Sequence, residues 1–316
     1  MEAVNPVDDF AGIVFRGLVA AVARSAAPIQ NIDINLRDTR WALKDASFYI
    51  PPRMVPEATA VLAGLKKLHL VVQASASPGP VFLKKFLSLA PNLAWLRINT
   101  DNGHYDELFT WLGEAAPTNE AAADSDNGPT IHLPLLEQLD FGNASLLPET
   151  LVKIVAKFAP SLRTLSLRRV NLVGTTDPKD RISPWSIGFL WKLRQIPGID
   201  LRRLDLSLLT HTTSHGWRGT VAFQDPPGPL TFERSYRAGK TEEVVKQVLA
   251  SINVSWPEDA EDDADSGDDE EDDEEMDDEE EAENDGDGDN DGDDDGDDDG
   301  DDDGDDEGPG DDEMGD

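Results

Sequence analysis

Lys157 to Leu167 reads KFAPSLRTLSL: an Ala-Pro pair separates an apolar helical run from three leucines, Leu162, Leu165 and Leu167, spaced three and then two apart. Ser88 to Ile98, SLAPNLAWLRI, has the same build, with Pro91 standing where Pro160 stands. Counting back from each proline, Phe82, Leu83, Phe86 and Leu89 align with Leu151, Val152, Val155 and Phe158, so the likeness extends through the helix. Proline cannot continue a helix and biases its predecessor toward extended geometry. Each block therefore predicts a helix, a stop and a short strand.

Six stretches carry the L-x-x-L-x-L spacing when any large aliphatic residue or Phe is admitted. They are Ile29/Ile32/Ile34, Leu65/Leu68/Leu70, Leu93/Leu96/Ile98, Leu136/Leu139/Phe141, Leu162/Leu165/Leu167 and Leu201/Leu204/Leu206. The last two members of each trio are two apart and point to one face of a strand. Such a narrow apolar row is buried only if neighbouring rows flank it and a helix covers each. The expected fold is therefore α/β, a leucine-rich-repeat solenoid: an irregular horseshoe of parallel strands backed by helices.

The irregularity is predicted by the spacing of the trios and by the place three positions after each, where an asparagine is usual. That place holds Arg37, Gln73, Asp101, Ala144, Val170 and Leu209, while Asn143 and Asn171 fall one off register. Helices are expected over Asp9 to Arg24, from Ser183-Pro184 onward with Trp185, Phe189, Leu190, Trp191 and Leu193 as core, and from Thr241, where Val244, Val245, Val248, Leu249 and Ile252 share a face. The last of these reads as the C-terminal cap of the stack. Residues 113–130 are small, acidic and aperiodic, a surface loop.

The net charge of -38 is unevenly placed. Residues 258–316 hold 40 Asp and Glu and no Lys or Arg, leaving 25 acidic residues against all 27 basic ones in the rest. Residues 1–256 read as the solenoid with its cap; residues 257–316, with almost no apolar side chains, are expected to be a disordered acidic tail. From Lys153 to Arg203, 11 Lys and Arg stand against Asp177, Asp180 and Asp200, which suggests a basic face able to attract the tail itself. Cysteine is absent, as fits a reducing compartment. The apolar stretch from Phe10 to Val22 is too short for a span and contains Arg16. An intracellular protein, cytoplasmic or nuclear, with no membrane contact is expected.

Catalytic signatures are missing: the sequence has no phosphate-cradling or dinucleotide glycine pattern and no G-x-S-x-G elbow. His211 and His215 are four apart but lack the glutamate of a zinc protease and read as loop histidines. Asp287 to Asp298 matches the calcium-loop spacing, a pattern that Gly-Asp repetition generates by itself. The expectation is a non-enzyme without cofactor, metal site or direct nucleic-acid binding.

Binding is expected on the concave side, where residues alternating with the trios form three rows. The first is Asn31, Lys67, Trp95, Gln138, Thr164 and Arg203; the second Asp33, His69, Arg97, Asp140, Ser166 and Asp205; the third Asn35, Val71, Asn99, Gly142, Arg168 and Ser207. Lys67, His69, Trp95, Arg97, Arg168 and Arg203 are the candidate contacts for a protein target, with Trp95 and Arg97 foremost because Trp and Arg dominate binding hot spots.

The segments APIQNIDI, LAGLKKLHL, LAPNLAWLRI, LPLLEQLDFGNASLLPETL, FAPSLRTLSLRRV and IDLRRLDLS resemble the leucine-rich C-terminal region of fungal F-box proteins over most of residues 10 to 210. The resemblance implies target recruitment by the repeats for a ubiquitin ligase. Its ligase adaptor would bind an F-box, whose LPxEL start does not precede the repeats here, so that contact is expected only with an F-box upstream. Repeats followed by an acidic tail are also similar to acidic leucine-rich nuclear phosphoproteins, which implies basic proteins such as histones as partners of the tail.

Overall fold

The computed structural model describes residues 10–25, 27–36, 41–73, 79–101, 106–114, 130–174, 182–225 and 227–256. The expected acidic tail, the calcium-like spacing within it and most of the 113–130 loop lie outside these residues. The six trios sit on β1 (Asn31–Asp33), β2 (Lys67–Val72), β3 (Trp95–Thr100), β4 (Gln138–Gly142), β6 (Thr164–Arg168) and β8 (Arg203–Ser207), or at their ends. These strands form one sheet in chain order, extended by β11 (Glu233–Arg237). All pairings are parallel except β8 with β11. The body is thus α/β with a parallel-dominated sheet.

Register runs through the second member of each trio: Ile32 faces Leu68, then Leu96, Leu139, Leu165 and Leu204 follow strand by strand. Leu70, Ile98, Phe141, Leu167 and Leu206 align in the same way. The leading leucines 65, 93, 136, 162 and 201 are wholly excluded from solvent. A one-residue slip would turn whole rows to the opposite face. Five successive strand starts are also joined identically. The carbonyl of Gln30 accepts from Lys66 and Lys67, that of Lys66 from Ala94 and Trp95, and that of Ala94 from Glu137 and Gln138; Glu137 and Arg163 continue the pattern.

The helices close the apolar side. α1 (Phe10–Ser25) sends Phe15 against Phe48 and Phe86, with ring centroids 5.3 and 5.6 Å away. α2 (Val55–Leu62), α3 (Val81–Ser88), α4 (Asp106–Gly113) and α5 (Pro148–Phe158) follow. In α5, Leu151, Val155 and Phe158 of the aligned set are buried together with Ile154, while Val152 is half-buried. Ala90 and Ala159 of the two Ala-Pro pairs are fully buried, so the turn has room only for a small side chain there. Ser183 caps its helix by accepting from the Ser186 amide; the turn is π-helical over Pro184–Leu190 and passes into α6 (Trp191–Leu193). Trp191 departs from the expected core and is half exposed, because two residues past Phe189 is the opposite side of a helical turn.

A second sheet was not anticipated. β5 (Ser145–Leu146), β7 (Asn171–Val173) and β9 (Thr210–Thr212) pair in parallel, and β10 (Arg218–Phe223) and β12 (Ile252–Val254) extend them antiparallel. Its origin is a left-handed residue two places after β4, β6 and β8 lose their last aliphatic: Asn143, Arg169 and Leu208 have φ of 53°, 53° and 52°. The following residues, Ala144, Val170 and Leu209, plunge into the core at the place where asparagine was expected. Asn171 does the linking instead: its Oδ1 accepts from the Thr210 and Thr212 hydroxyls and its Nδ2 donates to Ser145. α7 (Thr241–Ser251) buries Val244, Val245 and Val248 as expected, and its Thr241 hydroxyl accepts from the Leu201 amide.

Two substitutions separate these contributions. Leu165→Ala should destabilise the body by about 2–5 kcal/mol through the cavity it leaves. Arg169→Gly, at an exposed left-handed position, should stabilise it by about 0.5–1 kcal/mol. Urea unfolding of both variants measures these opposite signs.

Candidate functional site

Strand alternation turns the second set of residues away from the helices, and the pairing confirms the proposed rows: Lys67, Trp95, Gln138, Thr164 and Arg203 are successive partners, as are His69, Arg97, Asp140, Ser166 and Asp205. Lys67 Nζ lies 5.4 Å from the centroid of the Trp95 ring. Trp95 Nε1 donates to Asp140 Oδ2 at 2.7 Å, and Gln138 Nε2 donates to both Asp140 oxygens at 3.1 Å. The indole is therefore laid along the sheet by a hydrogen bond at one end.

Asp140 is almost buried, and desolvation raises its pKa, opposed by the Trp95 and Gln138 donors and by the Arg97 charge. Two strands over, on β2, His69 is also nearly buried. Its Nδ1 is 2.7 Å from Asp33 Oδ1 and its Nε2 is 3.0 Å from Asn99 Nδ2. The amide nitrogen must donate, so the network assigns the proton of a neutral ring to Nδ1, facing Asp33. Burial lowers the His69 pKa, outweighing the Asp33 hydrogen bond. Arg97 Nε donates to Asn99 Oδ1 at 3.4 Å. Gly142 makes this possible, since a Cβ there would collide with the Asn99 amide.

Lys67, His69, Trp95 and Arg97 thus converge with Asp33, Asn99, Gln138 and Asp140 in one linked cluster. These last four stood in the rows, but spacing alone did not mark them as the groups that hold the others. Arg203 lies three strands from Trp95, ~14 Å away, and donates to Asp205 at 2.9 Å. Arg168 is exposed at the far end of β6. Val71 leaves the expected polar row: it is buried where residues 41–43 run beside β2, the Leu43 amide donating to Val71 and the Gln73 amide to Leu43.

The described bases of the 153–203 run do not make one face. Lys153 is exposed on α5, Lys192 pairs with Glu149 at 2.8 Å, and Arg163 and Arg202 flank Asp200 at the start of the strands. Arg168 and Arg169 sit at the other end, a five-residue strand or ~17 Å away. Desolvation brings Lys157 down to about 8, so it carries less than a full charge near neutrality. Lys179 and Arg181 lie outside the described residues.

His211 is not a loop residue. It occupies β9, opposite Leu172, with no exposed surface. The rings of Trp217 and Trp256 lie 5.6 and 5.3 Å away, and neither ring nitrogen has a hydrogen-bond partner. Burial lowers its pKa. Among the described residues no group of acids and histidines is arranged to hold a metal, and no helix is long and apolar enough to cross a membrane. Comparison with family models, curated proteins and solved structures gives no match.

The buried imidazole has a consequence for acid stability. A histidine whose folded pKa is depressed favours folding above its unfolded value of 6.5, and that contribution is lost as pH falls toward the folded value. His211→Leu, which continues the Leu146 and Leu172 row, should stabilise the protein by about 1 kcal/mol at neutral pH. It should also flatten the loss of stability between about pH 7 and about pH 5, leaving the share due to His69. Urea midpoints across that range measure both effects.

Proposed function

We propose that the body is an irregular leucine-rich-repeat solenoid and that it is a non-enzymatic recognition module for another protein, bound on the face that carries Trp95. The solenoid reading is supported by the chain-order sheet, by its aligned aliphatic rows and by five identical strand-start junctions. It resembles the substrate-recruiting repeats of F-box ubiquitin-ligase receptors.

The observation that carries the functional reading is the cluster around Trp95. Its large side chains are already held by Asp140, Asn99 and Lys67 before any partner arrives. Ordering such side chains at association costs about 0.5–1.5 kcal/mol each, and this cluster has met most of that cost on folding. Its second row sets Asp33, Asp140 and Asp205 beside Arg97, so the matching partner surface is polar and of mixed charge rather than a polyanion. Six strands at ~4.8 Å separation offer roughly 24 Å of face, enough for an extended peptide or the edge of a domain.

A second reading rests on the 40 acidic residues of 258–316, a composition suited to basic proteins such as histones by counterion release. One experiment separates the two. A photo-crosslinking residue is placed at Ser166, on the polar face, or at Lys153, on the exposed side of α5, in the full chain and in a chain ending at residue 257. The recognition reading predicts protein adducts from position 166 alone, unchanged by removal of the acidic segment and abolished by Arg97→Glu. Equal adducts from position 153, or adducts that require residues 258–316, contradict it.

A further inference from the structure

The N-terminal end of the sheet is apolar where it ought to be dry. Phe10, Ile13, Val14 and Leu18 of α1 keep 49–63% of their surface in solvent, although the opposite side of the same helix packs Phe15 and Ala23 into the core. A helix apolar on all sides is ordinarily enclosed. Between this helix and the sheet lies a cleft of about 520 Å³ lined by Phe10, Val14, Leu18, Ile34, Leu36 and Trp41, and Trp41 is itself 41% exposed. From Phe10 to Ala23 the exposed stripe of α1 carries no charged residue.

The two ends of the sheet differ in a way that names the occupant. At the C-terminal end the outer strand is β11, antiparallel, with Glu233, Arg234 and Arg237 along it, the charged edge that discourages further pairing. Head-to-tail addition of a second copy is therefore disfavoured. Like end can meet like end, which generates a closed two-fold pair rather than a filament. The uncharged stripe meets no repulsion from its own image.

The area fits as well. The five exposed side chains present roughly 450 Å² of apolar surface, within the range of functional patches. A standard interface buries about 800 Å² per partner, a little over half of it apolar. We propose that this chain forms a two-fold homodimer through its N-terminal end, with α1 crossing α1 of the second copy and Trp41 and Phe10 closing the cleft. The surface is separate from the Trp95 face, so each copy presents its recognition cluster independently.

Sedimentation equilibrium on the full chain tests this, because it reads mass without the bias that a long acidic segment gives to gel filtration. The wild type should approach twice the chain mass at micromolar concentrations. Val14→Glu and Phe10→Asp, both at exposed positions, should weaken dimerisation at least ~30-fold with circular dichroism unchanged. Leu230→Glu, exposed at the other end, should leave the dimer intact. A wild type that remains monomeric throughout, or a Val14→Glu variant that dimerises like the wild type, overturns the proposal.

Discussion

Each strand of this protein owns an apolar row only two or three side chains wide, and such a row is dry only between two others. Fully burying one leucine contributes about 1.5–3 kcal/mol, but a lone three-residue row exposes its flanks and realises little of it. The in-register chain from Ile32 to Leu204 is therefore the constraint on which the rest depends. It makes the strands mutually necessary. It also sets the opposite side without further instruction, because alternation places Lys67 beside Trp95 and His69 beside Arg97 once the leucines are aligned.

The polar side obeys a different rule. His69 and Asp140 are nearly as buried as the core, and each is tolerated because neighbours meet its hydrogen-bonding needs. Their shifted titration directions follow from desolvation exceeding those contacts. His211 lacks such neighbours, being enclosed by two indoles, and so remains neutral and costly. The first arrangement fixes side chains in place on the polar face; the second only fills space.

The trios, the Ala-Pro helix ends, the Ser183 helix start and the Thr241 helix were legible in the sequence because each depends on local spacing or on the chemistry of one residue. The face rows were legible for the same reason. The second sheet was not, since β5, β7 and β9 are two or three residues long and arise from left-handed backbone at Asn143, Arg169 and Leu208. Only the first of these is a residue type that announces such a turn. Charge counting along Lys153 to Arg203 misled because strand β6 carries its bases to opposite ends of the sheet. The burial of Val71 depends on a segment some thirty positions earlier, which periodicity cannot register.

Because the chain contains no cysteine, strand alignment can be read directly by paired cysteine substitutions. Gln138 and Thr164 are register partners on the polar face, whereas Gln138 and Arg168 are offset by four residues, ~13 Å along the strand. Oxidation should close a disulfide in the Gln138→Cys, Thr164→Cys chain and none in the Gln138→Cys, Arg168→Cys chain, since bridging needs Cα atoms within about 7 Å. Closure of the offset pair, with the aligned pair left as free thiols, would contradict the register from which both faces of the sheet follow.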